Sequence, residues 1–173
     1  KMGMTHLALT DEMNLFGAVE FYKACKGEGI VPIIGAELIV APGSRLDKNK
    51  ARENHRLVAL VRNHDGYIAL NYLVSEGYLT GRHYLPRIDK ETLEEHRDLI
   101  GKGLIFLSGD LRGEVPKLLA QERFDEAREA ALWLRDLRHG RSFIVLSNSN
   151  EADLQKLKGV LSAPRLAALA ELD

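Results

Sequence analysis

The sequence predicts an α/β fold, because strand patterns alternate with helix patterns along most of the chain. Apolar, β-branched segments such as residues 30–34 and 57–61 are separated by stretches with apolar residues at helical spacing. The chain begins with the pattern of a βαβ unit, which has a right-handed crossover. Its first strand is predicted at residues 6–10, its helix at 15–26 and its second strand at 30–34. The alternation predicts either a doubly wound sheet or a (βα) barrel, open or closed.

The first third of the chain contains three further signals. Asp11 directly follows the first strand and has the side chain of a helix N-cap. Residues 38–40 predict another strand beyond Gly35. Residues 41–56 lose this periodicity and are polar and net basic, so we expect an exposed, mobile loop there.

The rest of the chain continues the alternation. Asp89 fits the N-cap of a short helix. Residues 124–138, rich in Ala, Leu, Glu and Arg, form the strongest helix pattern. The other predicted elements are strands at 57–61, 104–108 and 143–146 and helices at 67–78, 112–121, 151–161 and 165–172.

Composition limits the class of protein. The 173 residues contain 24 Lys and Arg against 25 Asp and Glu, a net charge of −1, which argues against a broad basic surface for DNA. Cys25 is the single cysteine, so neither an intrachain disulfide nor a Cys-based zinc site can form, and a cytoplasmic location is expected. No apolar run approaches the ~18 residues of a membrane span. Because Lys1 directly precedes an apolar segment, we expect a fragment of a larger protein.

Acidic side chains follow several of the predicted strands. Asp11 and Glu12 follow the first, Glu37 follows residues 33–34, and Asp110 follows residues 104–108. Carboxylates that converge at strand ends suit Mg²⁺ or Mn²⁺, and also general acid or base catalysis. Helix capping is the competing interpretation for Asp11, and Asp110 also precedes a helix.

Other familiar sites are not indicated. No histidine pair has the spacing that places two imidazoles on one helix face or strand face. The segment 108–114 has glycines but neither the Walker nor the dinucleotide-binding pattern. Cys25 lies within a helix pattern, without a neighbouring His, and is interpreted as a buried apolar residue rather than a nucleophile.

Five spaced blocks of the sequence can be compared with known families. They are Thr10-Asp11-Glu12-Met13-Asn14-Leu15-Phe16-Gly17-Ala18-Val19-Glu20-Phe21-Tyr22, Gly29-Ile30-Val31-Pro32-Ile33-Ile34-Gly35-Ala36-Glu37, Pro86-Arg87-Ile88-Asp89, Leu107-Ser108-Gly109 and Gly113-Glu114-Val115-Pro116. In the same order, these blocks resemble the PHP (polymerase and histidinol phosphatase) domain of the bacterial DNA polymerase III alpha subunit. The resemblance covers residues 2–146, so we predict a PHP domain over 1–146 that lacks its first strand. A helical tail at 147–173 would be either the rest of the barrel or a joined later segment.

The resemblance implies a distorted (βα)7 barrel, present here as an incomplete fragment. It also implies a cleft in which active members hold about three metal ions and hydrolyse phosphoesters. By this resemblance one ligand is replaced and one is kept, since the expected ligand His is Glu12 and the ligand Glu survives as Glu37. A second ligand His falls on Arg56, with His55 beside it, and an expected Cys is Asp110. The family's His-x-His and Asn-Asp-x-His motifs are absent from the sequence.

These departures predict a degenerate metal site. Glu12, Glu37 and Asp110 remain as metal ligands, and Arg56 is positioned to form ion pairs with them in place of a metal. We therefore expect no cofactor in this fragment, with Mg²⁺, Mn²⁺ or Zn²⁺ bound only if the site is active. Mg²⁺ and deoxynucleoside triphosphates belong to the parent polymerase.

The function that the resemblance implies is structural. The domain would pack against the rest of the polymerase chain, bind a proofreading exonuclease and meet DNA only through the parent protein in DNA replication. One alternative is an active metal-dependent phosphoesterase or 3′–5′ exonuclease. Another is the same domain of the error-prone paralogous polymerase, which acts in DNA repair.

Overall fold

The computed structural model describes residues 3–49 and 53–137. Within these ranges the chain forms four strands and six helices, in an order that confirms the α/β class. They are β1 (His6–Glu12), α1 (Ala18–Gly27), β2 (Val31–Val40), β3 (His55–Val61), α2 (His64–Leu79), α3 (Lys90–Glu95), α4 (Arg97–Gly103), β4 (Leu104–Leu107), α5 (Glu114–Ala120) and α6 (Phe124–Leu137). None of these described helices is both long and apolar enough to cross a lipid bilayer.

The described strands form one mixed sheet in the order β1-β2-β3-β4. β1 and β2 are parallel, as the predicted βαβ unit requires, whereas β3 is antiparallel to both β2 and β4. The last residues of β1, β2 and β4 and the first residues of β3 therefore lie at the same end of the sheet. The predicted strand at 143–146, the helices at 151–161 and 165–172 and the tail at 147–173 lie outside the described residues, and the (βα)7 barrel remains a prediction.

The turn between β1 and α1 corrects one prediction. Asp11 lies inside β1 and is not a helix N-cap; α1 starts later than predicted, after Gly17, which makes no side-chain cap. The local hydrogen bonds explain the delay, because Asn14 Oδ1 accepts from the backbone N–H of Phe16 at 3.1 Å. Such an Asx turn competes with helix formation at these residues.

The predicted strands at 30–34 and 38–40 are one continuous strand, β2. β2 pairs with β1 on one side and with β3 on the other, and residues from Gly35 to Glu37 pair with both. Hydrogen bonds on both sides hold this segment extended. The prediction of two strands is wrong, because Gly35 pairs with both neighbouring strands and does not interrupt β2.

The main core lies between the sheet and the helices that pack against it. It is built from aliphatic residues, Met13 and one phenylalanine, all fully or almost fully buried, including Leu38, Leu70, Leu73, Ile88, Leu93, Ile100, Leu104 and Phe106. A smaller cluster joins α5 to α6 through Val115, Leu118, Leu119, Ala127, Ala130 and Ala131. Residues 124–137 form the helix α6, as the sequence pattern predicted.

The segment after β2 is anchored at Arg45, although the sequence predicted an exposed, mobile loop. The backbone N–H of Arg45 donates to Asp89 Oδ2 at 2.7 Å, and its guanidinium Nη1 lies 3.1 Å from Asp89 Oδ1. Asp89 also caps α3, as predicted, by accepting from the N–H and hydroxyl of Thr92 at 2.9 and 2.7 Å. Arg45 further donates to Thr80 Oγ1 at the end of α2. The buried Asp89 carboxylate thus joins the segment after β2 to α3, and Arg45 links the same segment to the end of α2.

The buried Asp89 carboxylate makes the stability of the fold sensitive to acid. Burial alone would raise the pKa of Asp89, but hydrogen bonds from Arg45 and Thr92 and the Arg45 charge outweigh it and hold this pKa below its ordinary value of 3.8. As the pH falls, the unfolded chain therefore binds this proton before the folded chain does. The contribution of Asp89 is complete above its unfolded pKa and is lost as the pH falls through its folded pKa.

We expect Asp89→Asn to lower the free energy of unfolding at neutral pH and to flatten its decline below about pH 4. Urea unfolding across the pH range measures both effects. The exposed Asp125→Asn is the matched control and should keep the wild-type profile. Parallel profiles for Asp89→Asn and the wild type would contradict the assignment.

Gly66→Ala should destabilise the protein, since a Cβ at this position of α2 would lie 1.8 Å from the carbonyl oxygen of Gly103. The backbone of Gly103 has to move, so we expect a loss of about 1–3 kcal/mol or more in thermal or urea unfolding. Gly27→Ala is the control, because a Cβ there meets no atom within 4 Å. Equal stability of the two variants would show that α2 and α4 can separate freely.

Candidate functional site

The candidate site lies at the end of the sheet where β1 finishes and β3 begins. Glu12 and Glu37 are direct partners in the parallel register of β1 and β2, so their side chains point to the same face. Arg56 is paired with Ile39, two residues beyond Glu37, and shares that face. The strand register therefore brings together two of the carboxylates and the arginine that the sequence singled out.

Met13 holds the chain directly after Glu12. Its φ of 50° reverses the backbone, and its side chain is 1% exposed. Its N–H donates to the carbonyl of Glu37 at 2.9 Å, while its sulfur accepts from the N–H of Ile39 at 3.1 Å. Sequence reasoning placed Met13 in a family block without assigning it this anchoring role, which depends on contacts with a strand 24 or more residues away.

Arg56 forms an ion pair with Glu12, as the sequence led us to expect. Its Nη1 lies 2.8 Å from Glu12 Oε2, with 15% of the Arg56 side chain and 42% of the Glu12 side chain exposed. Nη1 has no well-aligned hydrogen bond among the described residues, so the contact is chiefly a charge interaction. It spans from β3 to β1 across the intervening strand β2.

Glu37 pairs with a second arginine, which the sequence analysis missed. Arg112 Nη2 lies 3.2 Å from Glu37 Oε1, and the Glu37 side chain is 17% exposed. The loop that carries Arg112 is tied to β3, because the carbonyl of Arg112 accepts from the N–H of Arg56 at 2.9 Å. Gly109 permits this approach, since it has a φ of 80° and a Cβ there would lie 2.4 Å from the Arg56 carbonyl oxygen.

Asp110 is exposed in that same loop, where its carbonyl accepts from the N–H of Gly113 at 2.7 Å. Across residues 3–49 and 53–137, no three side chains of His, Cys, Asp or Glu come together in a group that could hold a metal ion. Glu12, Glu37 and Asp110 thus come from neighbouring elements without forming a three-ligand cluster in the described part of the chain.

His55 belongs to the other face of β3, because neighbouring residues of a strand point in opposite directions. It lines a cavity of about 600 Å³ together with Glu114, Lys117 and Trp133. Burial lowers the pKa of His55, and the nearby lysines act in the same direction, against the opposing effect of Glu114. The neutral form of His55 is therefore favoured. Because it is on the other face of β3, His55 also lies apart from the ion pairs of Glu12 and Glu37.

Trp133 is a further residue of this cavity that the sequence analysis missed. Lys90 Nζ lies 4.8 Å from the Trp133 ring and 2.7 Å from Glu114 Oε1. The Trp133 indole N–H donates to Glu94 at 2.8 Å. A single tryptophan in a strong helix pattern was the available signal, but the helix pattern alone could not show which partners it meets.

The arrangement at the sheet edge is one of compensated charge. Glu12 lies at the end of β1 and Glu37 lies inside β2, and each carboxylate has a guanidinium nitrogen within 3.2 Å. A divalent cation would have to compete with these fixed positive charges for the same oxygens. The pairs link β1 to β3 and β2 to the loop after β4, so the chemistry that the described side chains support is charge pairing between elements.

Comparisons with known proteins agree with the blocks found in the sequence. The chain is 48% identical over 134 residues to the DNA polymerase III subunit alpha of Chlamydia trachomatis, covering 76% of this chain and 10% of the relative. The subunit of the same name from Treponema pallidum is 45% identical over 139 residues, covering 79% of this chain and 12% of the relative. That from Deinococcus radiodurans is 40% identical over 163 residues, covering 91% and 12%.

The chain therefore spans about a tenth of the length of these relatives. The family model described as the PHP domain matches residues 1–149, which includes both carboxylates of the candidate site and their arginine partners. The extent of this match and the identity to the relatives confirm the resemblance, and the chain belongs to the PHP domain family.

Proposed function

We propose that this chain is a structural PHP domain of a bacterial DNA polymerase III alpha subunit and that its metal site is degenerate. The observation that carries the proposal is the position of the Arg56 guanidinium, 2.8 Å from Glu12 Oε2. The resemblance places a metal-ligating His at the Arg56 position. A permanent cation there repels a metal ion and satisfies one of the carboxylates that would bind it.

The second ion pair supports the same proposal. Arg112 neutralises Glu37, the one ligand that the resemblance keeps unchanged. An oxygen already paired with a guanidinium must give up that contact before it can coordinate a metal. In this proposal, Arg56 and Arg112 occupy the places where metal ions would supply positive charge, so that the fold keeps its strand ends together without a metal.

The role in replication follows from the family and from the relatives. The relatives above are named DNA polymerase III subunit alpha, which supports a replicative parent over the error-prone paralogue. Polymerisation, its Mg²⁺ and its deoxynucleoside triphosphates would reside in the remainder of that protein. We propose that the domain packs against this remainder, binds a proofreading exonuclease, and meets DNA through the parent in the cytoplasm.

Arg56→His tests the degenerate site, because it replaces the cation by an imidazole that can coordinate a metal beside Glu12. We expect the wild-type chain to bind no stoichiometric Mn²⁺ or Zn²⁺ in calorimetry and elemental analysis, and the variant to bind either ion more tightly. Removing the partly exposed ion pair should cost about 1 kcal/mol or less in stability without metal. Arg123→His, which alters an exposed pair with Glu126 on α6, is the control and should not bind. Stoichiometric metal in the wild type would overturn the proposal.

An active phosphoesterase or 3′–5′ exonuclease remains the rival function, since Glu12 and Glu37 lie side by side on parallel strands. With Mn²⁺ and a 3′-labelled primer, we expect no nucleotide release by the purified chain and no change in Glu37→Ala. The measurement is the release of labelled nucleotide over time. Metal-dependent release that disappears in Glu37→Ala would establish the rival.

A further inference from the structure

The cavity that His55 lines has a volume of about 600 Å³, which is in the range of small-molecule binding sites. Its walls come from the segment between β2 and β3, the first residue of α3 and the helices α5 and α6. His55 places it on the face of β3 away from Arg56, so the cavity is separate from the candidate site described above. Seven of its lining residues are charged, three of them cations and four carboxylates.

Helix α6 forms one wall of the cavity, with two carboxylates and an aromatic ring on the same side of the helix. Glu126, Glu129 and Trp133 follow one another at spacings of three and four residues, which places them on one helix face. All three line the cavity, and they span about 10 Å along the helix axis. This wall therefore offers both negative charge and an aromatic surface.

The chain's own Lys90 shows which chemical group this cavity accommodates. Lys90 Nζ lies 2.7 Å from Glu114 Oε1 and 4.8 Å from the centre of the Trp133 ring. The Lys90 and Glu114 side chains are 39% and 26% exposed, so water screens their pairing only in part. A carboxylate and an aromatic face are partners that attract an ammonium group under these conditions. One ammonium is thus already held at the cavity wall by a residue of the protein itself.

The other two cations of the cavity are also engaged by neighbouring groups of the protein. Lys117 Nζ donates to the backbone carbonyls of Glu53 and Asn54, at 3.3 Å in each case. The Arg123 guanidinium donates from Nε to Glu126 Oε1 at 2.7 Å. Because every cation of the lining already has an acceptor, the cavity offers little uncompensated positive charge to an anionic ligand.

Two of the four carboxylates have no such compensation. Glu114 and Glu126 are paired with a lysine and an arginine, whereas Glu53 and Glu129 are exposed and form no ion pair within the described part of the chain. His55 adds no positive charge at neutral pH, since burial lowers its pKa. The lining therefore has a surplus of negative charge, divided between the segment before β3 and the helix α6.

We propose that this cavity binds a small organic cation that carries more than one alkylammonium group. Its ammonium groups pair with Glu53 and Glu129, which come from two different walls, and the methylene chain between them packs against Trp133. Lys90 limits the affinity, because its own ammonium competes for Glu114 and for the Trp133 ring. This binding site goes beyond the structural role proposed above and does not depend on it.

Tryptophan fluorescence tests the proposal, because Trp133 is the single tryptophan of the chain and reports on this cavity alone. The chain is titrated with spermidine as a free polyamine, with the amide of N-acetyl-lysine as a lysine side chain, and with inorganic phosphate as an anion. We expect a saturable change with spermidine, a weaker one with the lysine derivative and none with phosphate. Equal affinity for the lysine derivative would assign the same ammonium site to a peptide side chain. Saturation with phosphate, or no saturable change with spermidine, would overturn the proposal.

Charge variants identify the groups that hold the ligand. Glu53→Gln and Glu129→Gln should each weaken spermidine binding about two- to fivefold, the effect of one partly exposed ion pair. Glu20→Gln, at an exposed position of α1, is the control and should bind as the wild type does. Unchanged affinity in both cavity variants would contradict the assignment.

Lys90→Met gives a test of opposite sign. It removes the competing ammonium from Glu114 and Trp133, so spermidine should bind more tightly to this variant than to the wild type. Weaker binding would show that a cation of the cavity holds the ligand, and would overturn the proposal. Urea unfolding of each variant checks that it is folded, and spermidine should raise the unfolding midpoint of every protein that binds it.

Discussion

The antiparallel direction of β3 is the constraint on which the candidate site depends. β1, β2 and β4 run in one direction, so their carboxyl ends lie at a single edge of the sheet, and β3 brings its first residues to that edge. Arg56, the second residue of β3, therefore lies close enough to reach Glu12. If β3 were parallel to its neighbours, Arg56 would begin at the opposite edge and Glu12 would lack this partner.

Burial decides what an ion pair contributes to this molecule. Asp89 is almost entirely buried, is paired with the mostly buried Arg45, and also accepts hydrogen bonds from Thr92, so removal of one partner leaves a buried charge or polar group unsatisfied. The pairs of Glu12 and Glu37 are partly open to solvent and contribute less to stability. The arginines of these pairs fix positive charge beside Glu12 and Glu37, and that charge opposes the binding of a cation there.

A domain that is about a tenth of its relatives' length is best understood through the surfaces that it offers. In the described part of the chain, Glu12 and Glu37 are each paired with an arginine, so a divalent cation would have to compete with a guanidinium for either carboxylate. The strained turn at Tyr84 presents an exposed aromatic side chain.

The sequence by itself determined the α/β class, the βαβ beginning, the helix over residues 124–137, the cap at Asp89 and the family, because these depend on local periodicity, capping side chains and short blocks. It also indicated Arg56 as the partner of Glu12, although only through the resemblance. Tertiary structure alone decided the direction of β3, the continuity of β2, the pairing of Arg112 with Glu37 and the separation of His55 from the carboxylates. Each of these is set by hydrogen bonds or charges between residues distant in the chain, which the local patterns of this sequence did not specify.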